Sequence, residues 1–180
     1  DPYAVAAIRL LIFTGARLRE ILHARWSEVD FERGMILLPD SKTGRKPIYL
    51  SAAALAVLAE IPRQSDNPHL IPGRKAGQPR ADLNKPWASV TRAAGLAGVR
   101  VHDLRHTFAS FGAEASMGLP IIGKLLGHAQ PATTHRYAHL DVDPLRRAAD
   151  QIGVQIDAAM RGSPGETVTK LAVRQPRSSR

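Results

Sequence analysis

His102-Asp103-Leu104-Arg105-His106-Thr107-Phe108-Ala109-Ser110 opens the stretch on which the fold turns, and it reads as the head of a helix running to Ser116. Leu104, Phe108 and Phe111 recur at helical spacing and give it an apolar side. His102 and Arg105 stand one turn apart, so the spacing projects both to the same side of the helix start. A helix N-terminus carries partial positive charge. With an imidazole and a guanidinium beside it, its natural guest is a phosphate. Taken alone, Arg105 is as readily a solvated helical residue, so the remaining chain has to decide.

Downstream, Gly118-Leu119-Pro120 breaks the helix and Ile121–Leu126 forms a short one ended by Gly127. His128 follows, then the run Thr133-Thr134-His135-Arg136-Tyr137-Ala138-His139. Pro144 to Met160 reads as a last amphipathic helix, with Leu145, Ala148, Ile152, Ile156 and Ala159 along one side. From Gly162 the chain turns polar and rich in Ser, Pro and Arg, the composition of a flexible tail. Within it, Val168–Val173 has the makings of a strand that adds to a sheet edge.

Upstream, Asp1-Pro2 is an N-cap before a proline at the first helical position. Val5, Ile8, Leu11 and Ile12 then recur at helical spacing until Gly15. Arg17 to Ala24 reads as a second short helix with Leu18, Ile21 and Leu22 inward. Met35–Leu38 and Pro47–Leu50 read as strands, and Asp40-Ser41-Lys42-Thr43-Gly44 supplies the turn of a β-hairpin. Ser51 caps a helix through Ala52–Ile61, the prolines of residues 62–81 imply loop, and Asp82–Ala94 returns to helix, offset by Pro86. The fold expected is a single, mainly α-helical domain with a small antiparallel β-hairpin or three-stranded edge sheet.

At 180 residues the chain suits one domain with a real core. No apolar stretch approaches the length of a membrane span, and the start does not read as a signal peptide. The absence of cysteine excludes a disulfide scaffold, a thiolate zinc site and a cysteine nucleophile. The net charge is +9, and the last twenty residues hold five basic groups against Glu166, so most of the excess lies in residues 1–160. A basic surface favours a polyanionic partner, since counterion release from phosphates drives association. Without an initiator methionine, the chain reads as a fragment cut at a linker.

The residue types fit one chemistry. Breaking a DNA strand without hydrolysis needs a nucleophile, cations for the charge on the non-bridging oxygens, and a proton for the departing 5′ oxygen. A tyrosine ester retains the bond energy for rejoining, but the phenol, with its reference pKa of about 10, must be activated locally. Arginine grips a phosphate with a planar fork, and lysine can release a proton. Thr14-Gly15-Ala16-Arg17-Leu18-Arg19-Glu20, Lys42, the His102 motif, Leu126-Gly127-His128 and Tyr137 supply these groups in order. Arg17 alone reads as an i,i+3 ion pair with Glu20, worth a few tenths of a kcal/mol.

Taken together, these motifs resemble the catalytic domain of the tyrosine recombinases, the family of the phage and genomic-island integrases, from Thr14 to near Met160. The resemblance implies the DNA breaking–rejoining catalytic fold over residues 1–160, a basic tail over 161–180, and N-terminal DNA-binding domains outside this chain. It implies that Tyr137 is the nucleophile, giving a 3′-phosphotyrosyl intermediate and a Holliday junction. Arg17 and Arg105 would bind the non-bridging oxygens, and His102 and His128 would contact the same phosphate, His102 taking the tyrosine proton. Lys42 would protonate the leaving oxygen with Lys46 as the fallback, Glu20 would orient the site, and Arg45 and Lys46 would touch DNA. It implies no cofactor, metal or ATP, a double-stranded recombination site and a tetramer on DNA as partners, no membrane, and a bacterial cytoplasmic or phage-encoded origin. It also implies a C-terminal element exchanged between neighbours, so that truncation after Asp141 would weaken assembly but spare monomer folding; the other reading is that this helix folds back onto its own domain, and then the truncated chain would fail to fold. Arg19 departs from the pattern, standing where many relatives carry a small residue.

Three other readings remain at this point: a non-catalytic DNA-binding module of the same fold, a type IB topoisomerase-like enzyme, and a histidine metalloenzyme. The last rests on the i,i+4 pairs His102/His106 and His135/His139. The first pair lacks the glutamate of His-Glu-x-x-His, and the second has no suitably placed carboxylate.

Overall fold

The computed structural model describes residues 1–41, 44–127 and 142–162, with side chains described outside 40–45 and 142–144. Helix α1 (Pro2–Thr14) runs through the middle of the molecule. It packs against α2 (Leu18–His23), α3 (Ala52–Glu60), α5 (Asp103–Glu114) and α7 (Val142–Arg161). Asp1 caps it, its carboxylate accepting from Tyr3 N at 3.1 Å and Ala4 N at 3.3 Å. The stripe expected from the sequence was too narrow. Val5 is 53% exposed, whereas Ala4, Ala6, Ala7, Leu10, Leu11 and Phe13 are all buried. A helix enclosed by four neighbours buries most of its circumference, and alanines let those neighbours approach.

The sheet has three antiparallel strands in the order β1 (Val29–Asp30), β2 (Met35–Ser41), β3 (Gly44–Tyr49). Ile36 faces Ile48 and Met35 faces Tyr49 across the β2–β3 pair, and all four are buried. A bulge falls between Leu38 and Ser41, near the end of β2. Strand β3 lies against α6 (Leu119–Leu126) and α7, so the hairpin is anchored at its base. Ser51 caps α3 as expected, accepting from Ala54 N at 3.3 Å. Pro86 lies in the first turn of α4 (Asn84–Ala93), where its missing N–H has no intrahelical partner to lose. No residue of α4 is buried, and Trp87 ties it down through Nε1 to Val99 O at 2.9 Å.

Helix α7 differs from the expectation of an exchanged element. Leu145, Ala149, Ile152 and Ile156 are buried in this chain's own core, although Ala159 is exposed. Asp150 accepts from Ala52 N at 2.7 Å, so α7 adds a second cap to the N-terminus of α3 beside Ser51. At Gly153 a Cβ would come within 2.6 Å of Ser51, which shows how closely the two helices approach. The helix is therefore a structural wall of the domain. Residues 163–180, including the strand expected at Val168–Val173, lie outside the described residues.

Ile152→Ala is expected to destabilise the chain by about 2–5 kcal/mol, the range for emptying a packed aliphatic site. Truncation after Asp141 is expected to abolish the cooperative unfolding transition. Urea denaturation followed by circular dichroism checks both, and a truncated chain of unchanged stability would refute this account of α7.

Candidate active site

The site is built where α1 stops. Thr14 Oγ1 donates to Leu10 O at 2.6 Å and accepts from Ala16 N at 3.2 Å, satisfying the buried hydroxyl while the chain turns. Gly15 takes φ 61°, and a Cβ there would collide with Phe108 and Leu126. The turn delivers Arg17 to the N-cap of α2, and Glu20 reaches back to accept from Arg17 N at 2.8 Å.

Arg105 enters from α5. It is only 6% exposed, and its guanidinium donates through Nη1 to Gly15 O at 2.6 Å and through Nη2 to Leu126 O at 2.8 Å. Gly15 and Leu126 lie at the C-terminal ends of α1 and α6, so two helix dipoles direct their negative ends at one buried cation. Among the described residues no carboxylate forms an ion pair with Arg105. Burial and then the nearby Arg17 charge hold its pKa below the usual guanidinium value, with Glu20 opposing. A buried cation beside a second cation, with donors that have no partner among the described residues, favours an anion.

Among the described residues, Glu20 is the one carboxylate in this cluster. Its Oε1 accepts from Arg17 Nη1 at 3.0 Å and from Lys46 Nζ at 2.6 Å. The Glu20 and Lys46 side chains are 15% and 14% exposed, whereas Arg17 remains half exposed. Burial alone would raise the Glu20 pKa. The Lys46 hydrogen bond, the Arg17 backbone donor and both positive charges outweigh it and hold the group below the ordinary carboxylate value. Lys46 is lowered too, first by burial and then by the charges of Arg17 and Arg105, while Glu20 opposes.

His102 precedes this cluster as the N-cap residue of α5. Asp103 fixes the helix entry, accepting from Arg100 N at 2.8 Å and from Arg100 Nη2 at 2.9 Å. The His102 ring is exposed and meets His106 edge-on, with centroids 5.2 Å apart. His102 and Arg105 thus share the helix head but take different directions, one at the surface and one inward. Lys42, His128 and Tyr137 lie outside the described residues, as does the Arg45 side chain. The structure brings Arg17, Glu20, Lys46 and Arg105 together. The bracing carbonyls of Gly15 and Leu126 were missed in the sequence, where the only sign of them was a glycine at the end of each helix.

A profile of the phage integrase family matches residues 3–143. The chain belongs to the phage integrase family. It is 31% identical over 150 residues to tyrosine recombinase XerC of Xanthomonas axonopodis pv. citri (strain 306), covering 81% of this chain and 49% of that protein. It is 32% identical over 143 residues to tyrosine recombinase XerA of Saccharolobus solfataricus (strain ATCC 35092 / DSM 1617 / JCM 11322 / P2), covering 77% and 46%. The chain thus spans about half the length of these curated relatives. Among solved structures, the XerA recombinase crystal structure superposes with TM-score 0.61 at 27% identity, over 84% of this chain and 57% of that one. The mycobacterium phage Brujita integrase shares the fold, with TM-score 0.64 at 21% identity over 84% of this chain and 52% of that one. The mainly helical architecture with its small antiparallel sheet is therefore that of a tyrosine recombinase catalytic domain.

Among the described residues no three His, Asp or Glu side chains gather as a metal site, and no helix is long and apolar enough to cross a membrane. Two measurements probe the geometry. Arg105→Lys leaves either Gly15 O or Leu126 O without its donor, and is expected to cost about 1–3 kcal/mol in urea denaturation. The second is acid dependence. Because the folded chain holds Glu20 below its unfolded value of 4.5, the ionised carboxylate stabilises the fold above that pH, and the benefit disappears as pH falls through the folded value. The stability difference between the unmodified chain and Glu20→Gln should therefore shrink from pH 7 to pH 3. A constant difference across that range would refute the assignment.

Proposed function

We propose that this chain carries the strand-cleaving and strand-joining centre of a site-specific DNA recombinase, with residues 1–160 as its catalytic domain. The observation that carries the reading is Arg105, buried between two helix C-termini with no carboxylate ion-paired to it among the described residues, and beside the half-exposed Arg17. That pair suits one phosphodiester, whose two non-bridging oxygens need charge neutralisation as the transition state forms. Duplex DNA is the partner that the basic charge favours. The relatives' names support the activity, and XerH, a fold neighbour at 24% identity, is described as bound to its difH substrate.

In the proposed reaction the Tyr137 phenol oxygen attacks phosphorus and the bond from phosphorus to the 5′ oxygen breaks. His102 takes the phenol proton, and Lys42 gives a proton to the departing oxygen. His128 adds a hydrogen bond to the same phosphate. The products are a 3′-phosphotyrosyl ester and a free 5′-hydroxyl. Attack by a partner strand's 5′-hydroxyl reverses these steps and rejoins the DNA through a Holliday junction. The ester retains the energy of the original bond, so rejoining needs no nucleotide. Self-association into a tetramer on DNA belongs to the same proposal.

The test uses nicked duplex oligonucleotides with a randomised core, from which protein–DNA adducts stable to denaturant are recovered and sequenced. The unmodified chain is expected to yield adducts, in excess EDTA as well, and Tyr137→Phe none at nearly unchanged DNA affinity. Adducts persisting in Tyr137→Phe would overturn the nucleophile. Binding without adducts in the unmodified chain would favour a non-catalytic DNA-binding module.

A further inference from the structure

Lys46 is a cation in an unusual place for a basic DNA-binding surface. Its side chain runs inward from β3, is only 14% exposed, and ends on Glu20 Oε1 at 2.6 Å. To get there it passes over Gly127, where a Cβ would occupy the space of the lysine stem. Gly127 takes φ 68° at the end of α6 and immediately precedes His128. Lys42 stands four residues before Lys46 in the sequence. Glu20, in turn, holds Arg17 by its main-chain N at 2.8 Å and by its side chain at 3.0 Å.

One ammonium group therefore joins β3 to Glu20 and Arg17 at the head of α2, and its stem lies over Gly127 at the end of α6. It also sets the local charge. Glu20 shared with Lys46 leaves Arg17 less neutralised than it would be as that carboxylate's sole partner, and so more available to an anion. Without the Lys46 charge, Arg17 would be the sole cation bonded to Glu20 and would be neutralised by it more fully.

Resting on the recombinase reading above, we propose that Lys46 is a positioning residue: through Glu20 it holds Arg17 open to the scissile phosphate, and across Gly127 it sets the hairpin against the segment leading to His128. It donates no proton to the leaving oxygen and makes no contact with the phosphate.

Two measurements test this. The first needs no DNA. The Glu20 side-chain carboxyl resonance is followed by NMR through an acid titration in the unmodified chain and in Lys46→Met, which keeps the stem but removes the charge. Glu20 is expected to titrate at higher pH in Lys46→Met, and an unchanged titration overturns the proposal whether or not the chain cleaves DNA. The second uses a duplex recovered as an adduct, made with an ordinary scissile phosphate and with a bridging 5′-sulfur whose thiolate leaves without a proton. Lys46→Met is expected to lower single-turnover cleavage roughly ten- to hundredfold on both substrates, the scale of a displaced reacting group, with DNA affinity unchanged. Lys46→Arg is expected to recover most of the rate.

Rescue of Lys46→Met by the sulfur substrate would make Lys46 the proton donor and overturn the proposal. A loss confined to affinity would make it a DNA contact, with the same result. Should Lys46→Met fail to fold, Lys46→Gln takes its place in both assays. A chain that yields no adduct at all would count against the recombinase reading, while the Glu20 titration would still decide the Lys46–Glu20 coupling.

Discussion

The bridge from the Arg105 guanidinium to Gly15 O and Leu126 O is the contact on which the rest of the arrangement depends. It joins α1 to the consecutive helices α5 and α6, with 90 residues between Gly15 and Arg105, closing the ends of α1 and α6 with one side chain of α5. A buried arginine is costly unless its surroundings compensate its charge. Here the compensation comes from two helix termini and the distant Glu20, none of which forms an ion pair with it. A carboxylate pressed against Arg105 would stabilise the cation equally well and would also neutralise it. Carbonyl dipoles hold the group in place while leaving most of its charge available.

The same reasoning explains why Glu20 has two cationic partners. A single Arg17–Glu20 pair would be an ordinary surface ion pair of little energetic weight. With Lys46 on the same oxygen, the carboxylate becomes a buried hub, and the cluster of three cations around one carboxylate keeps a positive excess. That excess sits beside the turn after α1, where Thr14 and Gly15 fix the backbone before Arg17 emerges. Stability and affinity for an anion are thus opposed in this cluster, and the fold offsets the repulsion with packing around α1.

Much of this was legible in the sequence, and the failures have physical causes. Caps and breakers read well because their chemistry is local: Asp1, Ser51, Gly15 and Gly127 end or begin helices where expected. The hairpin read well for the same reason, with alternation on both sides of a turn. Local pattern could not reveal that α1 is surrounded, because Ala6 and Ala7 carry little hydrophobic signal yet are buried by four neighbours. Nor could it reveal that Arg105 turns inward, since its partners are main-chain oxygens that any residue would supply. Lys46 read as a fallback proton donor and a DNA contact because nothing within the hairpin announces Glu20, which is 26 residues away. Helix α7 read as amphipathic, which was right, but its partner depended on tertiary packing. Leu145, Ala149, Ile152 and Ile156 are buried in this chain's own core, and Asp150 meets the head of α3.

Gly15 and Gly127 are the two places where these threads meet. Both sit in the left-handed region at a helix end, and each also lies under a side chain that needs the space a Cβ would fill. At Gly15 the neighbours are Phe108 and Leu126, which bring α5 and α6 close enough for Arg105 to bridge the helix ends. At Gly127 the neighbour is the Lys46 stem on its way to Glu20. A glycine chosen only to end a helix could be replaced by asparagine at modest cost, since asparagine tolerates the same backbone angles. Here that substitution would meet the backbone requirement and still collide with packed neighbours. The two glycines therefore act as spacers as much as terminators, and they set how closely the cationic side chains of separate elements can gather.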